Sequence, residues 1–283
     1  MQVPELRLRG ARKLRQLPRR VRCTLLRLEH LPHIEALPED LACERLRVQR
    51  APIRAVPRGT YRSLILDGTE VRDLTKVRAS ELLEVRRSPL TRLPKAAPTH
   101  WLHLEGCPLT ELPANQVARH ITLAQLPVRR LPPFGQREKL VIRGCEHLEE
   151  LPRLRARRVH IAQCPALRSL PEQIRCRDLT LIDLPALETL PAALMDDERW
   201  HSIMLWNLDS LRELPPDLEG RRGYAIHLGG RCRLRSLPPH LVQQVDLHWA
   251  GFRLPRLELL RTLEQRRDLM TYFERVEERG ILR

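Results

Sequence analysis

The sequence predicts an elongated solenoid of short stacked coils that carries one curved parallel β-sheet. Three observations predict it. The dipeptide Leu-Pro recurs at Leu17, Leu37, Leu93, Leu112, Leu131, Leu151, Leu170, Leu190, Leu214 and Leu237, with Val56-Pro57 and Leu74-Thr75 filling the gap, at spacings of 18 to 24 residues. Eight or nine positions before each stands the second apolar residue of an apolar-x-apolar triplet, such as Leu102-His103-Leu104. Between the two lie further apolar or small residues, for example Cys107 and Leu109. Self-similarity at a fixed short period is the signature of a stacked-repeat architecture.

The thirteen triplets, from Leu6-Arg7-Leu8 to Val245-Asp246-Leu247, are the predicted strands. Alternation sends two side chains of each triplet into a core and one out. One coil cannot bury that core alone, so successive coils must stack. Strands about 4.8 Å apart would then span roughly 58 Å. A period near nineteen residues leaves no room for a helix on the return path. The recurrent proline there favours extended or short 3₁₀ backbone, hence a thin convex layer and gentle curvature. The solenoid is assigned to residues 1–252. In 253–283, Leu259, Leu260, Leu263, Leu269, Met270, Phe273 and Val276 fall at helical spacing ahead of Gly280, which predicts a C-terminal capping helix and an α/β class overall. The first triplet starts almost at Met1, which predicts an uncapped sheet edge, from truncation or for docking.

Composition narrows the function. The formal charge is +15, and of 50 basic residues only Lys13, Lys76, Lys95 and Lys139 are lysine. An arginine-rich solvated surface and an anionic partner both account for this. No segment is apolar for long enough to span a bilayer, and no signal-peptide core opens the chain. Six of the seven cysteines fall in two repeat columns: Cys107, Cys145 and Cys164 after the triplet, and Cys23, Cys43 and Cys176 three residues before it. Columns indicate packing, so reduced thiols in a cytosol-like compartment are expected. No close C-x-x-C pair indicates zinc, and no glycine loop indicates phosphate. No cofactor and no metal are expected.

The run Leu37-Pro38-Glu39-Asp40-Leu41 through Leu46-Arg47-Val48 to Ile53 and Val56-Pro57 resembles the leucine-rich-repeat unit of bacterial LPX-type effectors secreted by type III systems. Plant immune receptors and animal scaffold proteins carry related Leu-Pro repeats. The resemblance implies a leucine-rich-repeat solenoid and a virulence-associated protein-binding role, in the cytoplasm or in a host cell reached through a secretion system. Two departures stand out. The family's inward asparagine is replaced by Cys, Leu, Ala, Ser or Thr, so no asparagine ladder can satisfy the turn. Many such effectors also append a helical ubiquitin-ligase domain with a catalytic cysteine, and no segment here is long enough to be one. Cys176-Arg177-Asp178 has a C-x-D form but precedes the triplet Leu179-Thr180-Leu181, so it reads as repeat architecture.

The triplet middles define the candidate binding face: Arg7, Arg27, Arg47, Ile65, Glu84, His103, Thr122, Val141, His160, Thr180, Met204, His227 and Asp246, flanked two residues on by positions including Ile182, Trp206 and His248. Arg7, Arg27 and Arg47 stack like charges on neighbouring strands, a repulsion that an acidic partner, or Glu29 and solvent, would relieve. Ile182, Met204 and Trp206, with Trp101 isolated further up, suit an interface hot spot, unless the longer repeat around Trp200 folds over them. His103 and His160 lie about 14 Å apart by strand spacing, too far to share a metal. His227 could hydrogen-bond Asp246, but no nucleophile accompanies them. The expected function is a protein-interaction module. The alternatives are the substrate-recognition part of a ubiquitin ligase, compatible with scarce lysine, and nucleic-acid binding. Four Trp, three Tyr, three Phe and 35 acids weigh against the last.

Overall fold

Every predicted triplet forms a strand, and the strands join one sheet. The computed structural model describes residues 3–94, 100–114, 117–191, 202–215, 225–230, 234 and 245–247. Its strands are β1 (Val3–Arg9), β2 (Arg20–Glu29), β3 (Asp40–Gln49), β4 (Gly59–Asp67), β5 (Val77–Arg86), β6 (Trp101–Glu105), β7 (His120–Ala124), β8 (Arg137–Arg143), β9 (Leu154–Ala162), β10 (Ile174–Arg175), β11 (Asp178–Ile182), β12 (Ser202–Trp206), β13 (Ala225–Gly229) and β14 (Val245–Leu247). They pair in chain order, with β10 alone off the path, on the start of β9. All pairings are parallel, as stacked coils of one hand require.

The described part is therefore a parallel β-solenoid. Among the described residues there is no helix, and the return path is extended rather than 3₁₀. The capping helix expected over 253–283 lies outside the described residues. No described helix is long and apolar enough to cross a membrane.

The core is a set of columns running along the stack. Triplet residues such as Leu26, Leu28, Leu64, Leu66, Ile121 and Leu123 are fully buried, and the Leu-Pro leucines sit nearer its margin. Leu6 and Leu8, in the first coil, are only half-buried because a coil covers them on one side alone.

Two coil types explain the variable period. In one, the residue after the strand accepts a bond from the backbone three positions on, as in Leu14 N to Ala11 O (3.2 Å), Leu148 N to Cys145 O (3.2 Å) and Leu167 N to Cys164 O (3.2 Å). In the other the link closes over two positions, as in Ile53 N to Ala51 O (2.8 Å) and Leu90 N to Ser88 O (2.7 Å). Either turn brings the second residue back to the core, so one amino acid is inserted or lost without disturbing the columns.

The strand exit obeys a stricter rule. Two residues past each triplet from β1 to β9 and β11 to β13, the chain takes a left-handed conformation. The occupants are Gly10, Gly68, Gly106, Gly144 and Gly230, but also His30, Arg50, Arg87, Gln125, Gln163, Asp183 and Asn207, with φ between 46° and 67°. From Gly10 to Asn207 the N–H of each donates to a carbonyl of the next coil, as in Gly106 to Ala124 (3.0 Å), Gln125 to Arg143 (2.8 Å) and Asp183 to Trp206 (3.0 Å). The ladder thus continues around the corner.

The inward thiols and hydroxyls add a second set. Cys164 Sγ donates to Ala162 O (3.3 Å), Cys107 Sγ to Glu105 O (3.5 Å), and Ser88 Oγ to Arg86 O (2.9 Å). The six cysteines outside position 232 are free thiols. Hydrogen bonding with Cys145 and then burial push the Cys164 thiol up, and burial pushes Cys43, in register with Cys23, up to about 12.

Two mutational outcomes follow from this architecture. Leu123→Ala should cost about 2–5 kcal/mol, whereas the adjacent half-buried Thr122→Ala should stay within about 0.5 kcal/mol. Equal losses in denaturant titration would contradict the alternation. Gly106→Val should destabilise by about 1–2 kcal/mol although an added Cβ would meet Arg87 only at an ordinary 3.8 Å. A melting temperature unchanged by that substitution would remove the left-handed requirement.

Candidate docking face

The register aligns the triplet middles into one column. Arg7 faces Arg27, Arg27 faces Arg47, and the series continues through Ile65, Glu84, His103, Thr122, Val141, His160, Thr180, Met204 and His227 to Asp246. From β2 to β12 their neighbours in sequence are buried, so these side chains occupy the open side of the sheet.

The arginine column is relieved differently from expectation. Glu29 lies 3.8 Å from Arg9. It is Glu5 that serves the column, with Oε1 3.4 Å from Arg7 Nη2 and 3.5 Å from Arg27 Nε. Position 5 precedes the triplet by one residue and so shares the open face with position 7. Arg47 has no carboxylate within 4 Å among the described residues, and its Nε is buried without a hydrogen-bond partner. A carboxylate arriving at this face would complete it.

The structure brings Ile182, Met204, Trp206 and His227 together. Ile182 is opposite Trp206, Thr180 opposite Met204, and Met204 opposite His227, on three consecutive strands. Ile182, Met204, Trp206 and His227 are half-buried. The segment 192–201, which includes Trp200, and His248 lie outside the described residues.

Trp101 and His103 form a separate group on β6. Trp101 is 52% exposed, yet one face is covered by the ring of His120, stacked at 3.8 Å and 13°. His103 is half-buried, and its Nε2 lies 3.1 Å from Glu105 Oε2. It is tied into a local ion-pair set with Arg86, which lies 3.1 Å from Glu84 and 3.7 Å from Glu105. Beside them Arg87 clasps the buried Asp67 through both carboxylate oxygens at 2.7 and 2.8 Å.

One charged group was missed at the level of sequence. Lys139 and Arg158 are opposite each other on β8 and β9, with Arg143 two strand positions along the open face and His120 next to Lys139 on β7. His160 is held below its usual pKa by burial and by Lys139 and Arg143. Burial also lowers His120; Glu138 opposes that shift, and Arg158, Lys139 and Arg119 add to it. For both rings burial leads the shift and the neighbouring cations add to it.

Among the described residues no three His, Cys, Asp or Glu side chains are placed to hold a metal. A depression of about 760 Å³ runs along the strand exits past Gln125, His147, Gln163, Asp183 and Asn207. It is an open trough, without the enclosure that a small-molecule site uses.

No family model, no curated protein and no solved structure matches the chain.

The two depressed histidines make stability depend on pH in a defined sense. Each binds its proton less readily folded than unfolded, so stability is complete above about pH 6.5 and declines as pH falls through the lower folded values. His160→Gln should flatten the fall in melting temperature between about pH 6.5 and 5. A slope identical to the parent's would show that His160 carries no such linkage.

Proposed function

We propose that this chain is a protein-docking module of the leucine-rich-repeat type, which holds a partner protein against the open face of its parallel sheet. The observation that carries this reading is the continuous register of triplet-middle positions from β1 to β14, one column that all the coils share. On it stand Arg47, whose Nε is buried without a partner, and the half-buried group Ile182, Met204 and Trp206. Arginine and aromatic side chains in partly desolvated settings are the residues that concentrate binding energy in interfaces.

The leucine-rich-repeat assignment is supported by coils of 18 to 24 residues with fixed inward positions and Leu-Pro on the return path. The backbone bonds at each left-handed corner do the work that asparagine does elsewhere, so its loss does not argue against the assignment. The Leu-Pro pattern is also the basis for placing the chain with bacterial secreted effectors that act inside a host cell. Fold analogy alone supports that step.

The test is comparative affinity capture. The parent chain and Arg130→Ala, altered on the return side where Arg130 pairs with Glu150 at 3.1 Å, should retain the same bound protein. Arg47→Glu and the double variant Met204→Ala with Trp206→Ala should each weaken its binding by about tenfold or more. Equal recovery by all four proteins, with unchanged melting temperatures, would end the assignment to the sheet face.

A further inference from the structure

The charge on the open face is sorted along the stack. At one end, over β1–β3, Glu5 and Glu29 are engaged with Arg7, Arg27 and Arg9, which leaves Arg45 and Arg47 on β3 with no carboxylate within 4 Å among the described residues. Over β4–β6 the charges pair internally, through Arg86 with Glu84 and Glu105, Arg62 with Glu81, and Arg87 with Asp67. Over β7–β9 cations return without compensation: Lys139, Arg143 and Arg158 have no ion-pair partner among the described residues. Asp178 stands opposite Arg158 on β11, but its Oδ1 accepts from Ser202 at 3.3 Å. The depressed histidines His120 and His160 lie inside this second cationic patch.

The patches act independently. From β3 to β8 is five strand spacings, about 24 Å along the sheet. That is roughly three times the screening length of about 8 Å at physiological salt. A partner with one acidic cluster therefore gains from one patch only. A uniformly anionic chain would cross the β4–β6 band next to Glu84 and Glu105, where it meets acids and an Arg86 already engaged with both. An uncharged spacer crosses the same band without that repulsion, and the exposed Trp101 on β6 gives it an aromatic surface to pack against.

We infer that the face recognises an extended acidic peptide segment of the partner, one with two Asp/Glu clusters joined by an uncharged spacer and laid across the strands from β3 to β8. This rests on the protein-docking reading above and specifies its ligand. Extended backbone advances about 3.3 Å per residue, so the spacing corresponds to about seven residues.

Fluorescence anisotropy with synthetic peptides tests it on the full chain. Two three-glutamate clusters would be separated by uncharged spacers of about three, seven or twelve residues, beside a single-cluster peptide, an unbroken oligoglutamate and a single-stranded oligonucleotide. The seven-residue spacer should bind at least about tenfold more tightly than the single cluster, since linking two sites multiplies affinity only when the linker fits the span. Lys139→Gln with Arg143→Gln should abolish that advantage while leaving single-cluster binding at β3. Arg45→Gln with Arg47→Gln should do the converse. These are neutral substitutions at exposed or half-exposed positions, and melting temperatures check that each variant is folded. Affinity indifferent to spacer length would overturn the inference, as would tighter binding of oligoglutamate or of the oligonucleotide. If spacing has no effect while the capture experiment still depends on Arg47 and Trp206, only the two-cluster ligand falls. If capture is also indifferent to the face, the docking assignment falls with it.

Discussion

The whole assembly turns on a backbone constraint at the exit of each strand. A parallel ladder ends where the chain bends away, and each bend would leave a buried N–H without an acceptor. Here the residue at the bend adopts a left-handed conformation that turns the chain while keeping its N–H in the ladder, donating to the next coil. Because the same geometry recurs in every described coil through β12, each coil is docked to its neighbour by the same bonds. The leucine columns can then align, and the burial of residues such as Leu26, Leu64 and Leu123 supplies the driving force.

That division of labour frees the rest of the coil. Since the corner is satisfied by main chain, the inward position after it is not bound to one side chain, and Leu31, Ala51, Thr69, Ser88, Cys107 and Leu126 all occupy it. Where it is polar, it bonds locally: Thr69 and Ser88, on adjacent coils, share a bond of 3.0 Å. The outward positions are freer still. Neither the ladder nor the core constrains the triplet middles, so their chemistry is available to function.

The strands were legible because two signals coincide, the period-two triplet and the recurring Leu-Pro. The register could be read too, since equal coil phases align equal positions, and Arg7, Arg27 and Arg47 do face one another. The left-handed column was not recognised. Glycine marks it at positions 10, 68, 106, 144 and 230, but His30, Arg50, Gln125 and others accept the same strained φ, so no single residue type marks it. Its only sequence trace is the absence of β-branched residues there, which left-handed backbone excludes. The cationic patch of Lys139, Arg143 and Arg158 was hidden for another reason. Among 50 basic residues three more carry no information until the register sets Lys139 against Arg158 and the structure shows none of the three within ion-pair distance of an acid among the described residues. Glu5, one residue before its triplet, was missed because attention to triplet middles overlooks the preceding outward position.

The preference for arginine over lysine has a physical consequence on this face. A side chain in the middle of a sheet column is flanked by its neighbours in the stack, and Arg47, between Arg27 and Ile65, is half-buried with its Nε out of water. A compact, strongly hydrated ammonium would resist that environment, whereas a guanidinium is weakly hydrated, stacks on its neighbours and keeps its terminal fork for a bidentate carboxylate. Like-charged arginines can therefore stand in one column without dismantling it, provided that an acid such as Glu5 is shared between two of them. The unshared member remains the one with most to gain from an incoming carboxylate, so recognition starts where the column's own compensation runs out.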